Sequence, residues 1–156
     1  MILHASIAAN DPQHTAQTLA QLIGGLAFPL PGDGGAWAAL RGDADGSVIE
    51  VLRRGREYHR RADAHCDMVW GEEQRHGPNH LMIETPLDED AVLALSAARG
   101  CHAHRTRHGG FFDVMEFWID DCQLLDVVTP QMAAGYKAFT AQAFQAIKSV
   151  APKASP

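Results

Sequence analysis

Four polar side chains interrupt apolar stretches at matched positions: His4 in LHASI, Glu50 in VIEVL, His80 in NHLMI and Asp126 in LLDVV. His4 precedes Glu50 by 46 residues, and His80 precedes Asp126 by the same 46. Side chains alternate along a strand. Leu3, Ala5 and Ile7 therefore share one face and leave His4 on the other; Ile49 and Val51 do the same for Glu50. Leu81 and Ile83 oppose His80, and Leu125 and Val127 oppose Asp126. Two neutral imidazoles and two carboxylates suit one divalent ion such as Zn, Ni, Mn, Co or Fe(II), with water in any open position. A single strand histidine is usually half-buried packing and a single strand Glu usually faces solvent. Four such residues at matched positions favour ligation.

The elements that must position them repeat. Sliding the chain by 76 residues lays His4 on His80, Ile7 on Ile83, Leu19 on Leu95 and Gly24 on Gly100. Gly34 then meets Gly110, Asp45 meets Asp121, and Glu50 meets Asp126. Each half reads β-α-β-β-β. Strands are expected at 2–8, 26–30, 36–41 and 47–53, then at 79–84, 102–107, 112–119 and 123–128. Asn10-Asp11-Pro12 and Thr85-Pro86 each pair a capping side chain with proline at the first helical position. Gly24 and Gly100 sit where a left-handed residue ends a helix. The turns carry 31–35, 43–46, 108–110 and 120–121. A polar linker spans 54–78, Thr129-Pro130 opens a C-terminal helix over 131–149, and 150–156 read as a frayed tail. If the two halves pack about a pseudo-twofold axis, the four polar side chains can converge.

Composition bounds the rest. The 156 residues carry 13 basic and 19 acidic side chains, a net charge of −6. That balance gives no general attraction to nucleic acid or to an anionic membrane. No apolar run approaches the roughly 20 residues a membrane span requires. With no signal peptide and three scattered cysteines (Cys66, Cys101, Cys122), the expected location is the cytoplasm. The arginines of RRGREYHRR (Arg53, Arg54, Arg56, Arg60, Arg61) read as a solvated linker or an anion-contacting loop. His102 and His104 read as surface residues, and Cys66 beside His65 lacks the partners of a nucleophile. Glu116, inside VMEFWI, fits either a polar group supporting the site or an outward charge on a strand edge.

On the paired units, and on HASIAANDP, GDADGSVIEV and DDCQLLDVVTP, residues 2–130 resemble the vicinal oxygen chelate superfamily. It includes glyoxalase I, methylmalonyl-CoA epimerase, fosfomycin-resistance proteins and extradiol dioxygenases. The resemblance implies an α+β fold in which paired βαβββ modules form a half-open mixed sheet or barrel cleft, with the C-terminal helix appended. It places module one at 2–53 and module two at 79–130 of a single domain, 1–130. The family's ligand pattern falls on His4, Glu50 and His80, with Asp126 where Glu is usual. The implied activity is metal-dependent lyase, isomerase or dioxygenase chemistry on a small substrate chelated through two adjacent oxygens. Glu50 would be the base, with Asp126 across the metal and Glu116 as a further acid or base. The alternative is a metal-free binding or resistance protein on the same fold. Trp37, Phe112 and Trp118 are expected to line the cleft. A homodimer is expected from the apolar stripe Met132, Tyr136, Phe139, Ile147 with Phe144, and its site lies either within one chain or across two.

Overall fold

A computed structural model describes residues 4–30, 34–42, 47–59, 67–73, 76 and 79–150. The turn at 43–46, residues 31–33 of the turn at 31–35, the residues 60–66 that include His65 and Cys66, and 151–156 lie outside the described residues. Module one runs β1 (His4–Ala9), α1 (Pro12–Ile23), β2 (Leu26–Pro29), β3 (Trp37–Leu40) and β4 (Val48–Arg53). Module two runs β7 (Leu81–Glu84), α2 (Glu89–Ala98), β8 (His102–His108), β9 (Phe112–Ile119) and β10 (Gln123–Val128). Between them lie β5 (Arg56–His59) and β6 (Asp67–Trp70), and α3 (Pro130–Val150) closes the chain.

The two modules have one topology. Their sheets are ordered β1-β4-β3-β2 and β7-β10-β9-β8, with the first and last strands of each unit parallel. His4 pairs with Val48 and Leu81 with Leu125, so the parallel partners are 44 residues apart in both. A one-residue slip would turn every side chain to the wrong face, and both sheets avoid it in the same register.

Local chemistry explains the helix ends. Asp11 caps α1 by accepting from the His14 amide at 3.0 Å, with Pro12 at the first position. Gly24 ends it at φ 67°, and a Cβ there would come within 3.0 Å of Pro86. Removing the cap with Asp11→Ala should cost about 1 kcal/mol, read as a lower denaturation midpoint without loss of fold. The second helix departs from expectation: its cap is Asp88, which accepts from the Ala91 amide, and Thr85-Pro86 lies ahead of it. The Thr85 hydroxyl instead donates to the Leu22 carbonyl and accepts from the Leu87 amide. That hydroxyl ties the end of α1 to module two.

One core joins the modules. Leu19, Leu22 and Val51 of module one cluster with Val92, Phe117, Leu125 and Val127 of module two. Two further expectations need correction here. The stretch 54–78 is not simply a polar linker, because β5 and β6 pair antiparallel with Arg56 stacked 4.9 Å over Trp70. Arg54 is not a solvated arginine. It is buried, donating to Asn10 and to the Ala8 carbonyl and pairing with Asp120 at 3.3 Å.

The described part of the α3 stripe packs against the chain's own core. Met132 is buried, and Tyr136 and Phe139 stack on Phe112 at 5.2 and 5.0 Å. These residues therefore give part of the stripe's apolar surface to the chain's own core. The side chains of Phe144 and Ile147 lie outside the described residues.

Candidate metal centre

On β1 and β4, Ser6 stands level with Glu50, one step along the same face from His4. His4 Nε2 lies 3.1 Å from Glu50 Oε2. The Ser6 hydroxyl donates to that oxygen at 3.3 Å and lies 3.2 Å from His4 Nε2. Neighbouring Val51 faces the opposite way into the core and is fully buried. Glu50 is therefore a carboxylate held at one oxygen by two neighbours.

Module two builds a larger polar cluster on the equivalent face. Cross-strand register sets Asp126 opposite Glu116, and Glu116 opposite His104. Asp126 is 0% exposed, and neither carboxylate oxygen has a hydrogen-bond partner. His80 Nε2 is 3.6 Å from Oδ2, and His108 Nε2 is 3.6 Å from Oδ1. Glu116 Oε2 lies 3.4 Å from His104 and accepts from the Trp118 indole at 3.4 Å. Burial pushes the Asp126 carboxyl above the ordinary carboxylate range; His108 and His80 oppose that shift, and Glu116 adds to it.

The four expected ligands stand as two pairs, His4 with Glu50 and His80 with Asp126. They are not gathered into one cluster: among the described residues, no three His, Cys, Asp or Glu side chains are grouped to hold an ion. Glu116 turns out to share the face of Asp126, so the outward-charge alternative falls. His104 is drawn into the same cluster by its contact with Glu116, and His102 sits by Asp121 at 3.3 Å. Trp37 does not line this face; it pairs with Val51 and packs on the core. Trp118 does reach the site through Glu116, while Phe112 is covered by α3.

His108 escaped the sequence reading. The signal was its spacing from His104, four residues along one strand and hence on the same face, but the strand was expected to stop at 107. The donor chemistry fits a divalent ion. A buried carboxylate without hydrogen bonds is costly unless a cation meets it, and imidazoles stand at both of its oxygens.

No family model matches the chain, and no curated protein matches its sequence. Solved structures do match its shape. A variant of the fosfomycin resistance protein FosX from Listeria monocytogenes, solved with Mn(II) and 1S,2S-dihydroxypropylphosphonic acid, superposes with TM-score 0.53 at 15% identity. That alignment covers 81% of this chain and 87% of the other. FosX from Mesorhizobium loti gives 0.50 at 11% identity, over 81% and 89%. An integron cassette protein from the mobile metagenome of V. cholerae gives 0.50 at 16%, over 83% and 94%. Among the described residues no helix is long and apolar enough to cross a membrane. With its two βαβββ units in one register and these structural neighbours, the chain has the fold of the vicinal oxygen chelate superfamily.

Proposed function

We propose that this protein is a divalent-metal-dependent enzyme acting on a small substrate that offers two adjacent oxygens. The observation that carries the reading is Asp126, a fully buried carboxylate with no hydrogen bond and a histidine at each oxygen. His4, Glu50, His80 and Asp126 would hold the ion. When bound, it would act as a Lewis acid that stabilises negative charge on substrate oxygen. Ser6 and His4 hold Glu50 at Oε2, which orients the carboxylate to take a proton from substrate. Trp118 and His104 hold Glu116 in the same way beside Asp126. The FosX structure with Mn(II) and a dihydroxy phosphonate supports both the ion and the paired oxygens.

The separation of the donors supports a shared site. Each module carries half of a four-ligand set, and a second copy laying its module one on this module two would complete it.

Metal content, variant affinities and subunit mixing test the reading. Protein purified without chelator or metal-binding tag should contain about one divalent ion per chain by elemental analysis and lose thermal stability when stripped. Glu50→Gln should weaken the ion more than Glu116→Gln. Mixing His4→Ala chains with His80→Ala chains, with subunit exchange, should restore metal binding in the mixed dimer, which then holds one intact site. A metal-free protein whose melting temperature ignores Zn, Ni, Mn and Co would leave the binding-protein reading. A monomer in sedimentation would overturn the shared site.

A further inference from the structure

We propose that His108 is an additional protein donor to the ion, supplied by module two alone. The inference rests on the metal-dependent reading above and adds a ligand that the internal repeat does not predict. The offset of 76 residues sets Gly32 against His108, so module one has no counterpart. The four residues at repeat-equivalent places therefore do not exhaust the donors around Asp126.

Geometry carries the argument. Asp126 Oδ1 and Oδ2 are buried, and neither makes a hydrogen bond. His80 and His108 approach different oxygens, each at 3.6 Å. That is too long for a charge-assisted hydrogen bond, which closes to about 2.7–2.9 Å. An ion bound by one imidazole nitrogen on each side of a carboxylate uses the donor types that Zn, Co and Ni favour. The nearby Glu116 is less available: its Oε2 is engaged by Trp118 and His104, and its Oε1 stands 3.9 Å from His108.

The placement of His108 is also specific. Its ring lies 5.7 Å from Phe112, and Phe112 is itself packed by Tyr136 and Phe139 of α3. The C-terminal helix, which lies outside both repeats, thus braces the ring that faces Asp126. As they stand the three side chains are not grouped to hold an ion; His80 and His108, 50% and 35% exposed, have room to turn toward one beside Asp126.

The test uses the full chain, stripped with chelator and titrated with Co(II) for its visible spectrum and with Zn(II) against a chromophoric competitor. His108→Ala and His108→Phe should each lower affinity at least tenfold and alter the Co(II) spectrum. His102→Ala, beside Asp121, should change neither. The Phe variant keeps the packing on Phe112, so retained affinity in His108→Phe with loss in His108→Ala would reduce His108 to packing and overturn the proposal. Native affinity and spectrum in both variants would overturn it as well. If His4→Ala still weakens binding in that case, the broader metal reading survives. Failure of the unaltered chain to bind either ion would overturn both.

Discussion

Asp126→Asn should abolish most metal binding while making the stripped protein more stable. The carboxylate is wholly buried, neither oxygen is hydrogen-bonded, and Glu116 is nearby. Without an ion its negative charge is a liability that the two histidines only partly offset. An amide removes the charge at nearly constant volume. We expect ion affinity to fall about 100-fold or more, equivalent to roughly 2.7 kcal/mol. The melting temperature of chelator-treated protein should rise by about 2–4 °C, the shift expected for roughly 1 kcal/mol in a chain of this size. The pH dependence follows in sign. Because burial raises the folded-state value above the unfolded one, the charge costs stability above the raised value, and that cost is relieved as pH falls through it. The variant should lack this relief. A stripped variant less stable than the stripped parent, or one with unchanged metal affinity, would refute the assignment of Asp126 as a ligand held at the expense of stability.

Arg54→Met should be among the most damaging changes outside the apolar core. Its guanidinium donates to Asn10 Oδ1 at 3.0 Å, to the Ala8 carbonyl at 3.3 Å and to Asp120 Oδ2 at 3.3 Å. Asp120 also accepts from the Asn10 amide at 2.7 Å. The group therefore ties the ends of β1 and β4 to the β9–β10 turn, where Asp120 and Asp121 both take left-handed backbone angles, φ 54° and 56°. Methionine keeps much of the volume and deletes the charge. Asp120 is partly exposed, so water can solvate what is left behind; the cost should be about 2–3 kcal/mol rather than the 3–5 of a fully buried pair. A double-mutant cycle with Asp120→Asn, read by denaturant melts, should show non-additivity above about 0.5 kcal/mol. Additive effects would mean that the two modules are held by their shared apolar core and not by this bridge.

Arg54 also shows where sequence reading failed. Within RRGREYHRR it looks like its neighbours, because composition reports charge and not depth. Only the meeting of β1, β4 and a turn 66 residues away gives it acceptors enough to be buried. Trp37 failed for a related reason: an aromatic near a turn gives no clue to its face until the pairing with Val51 is known. Thr85 was read as a cap from local motif alone, yet a contact with the distant Leu22 carbonyl claims its hydroxyl.

Local and periodic features were determined by the chain itself. Alternation along short strands and the offset of 76 residues were enough to give two βαβββ units and the faces bearing His4, Glu50, His80 and Asp126, because these depend on near neighbours and on a repeat that doubles each signal. Depth and company were decided only in three dimensions. That Asp126 is fully buried and Glu50 is not, that Glu116 joins the cluster, and that Tyr136 and Phe139 of α3 pack on Phe112 beside His108 all depend on contacts between elements far apart in sequence. A strand pattern records which side a residue faces; burial and partners are set by whichever distant element packs there.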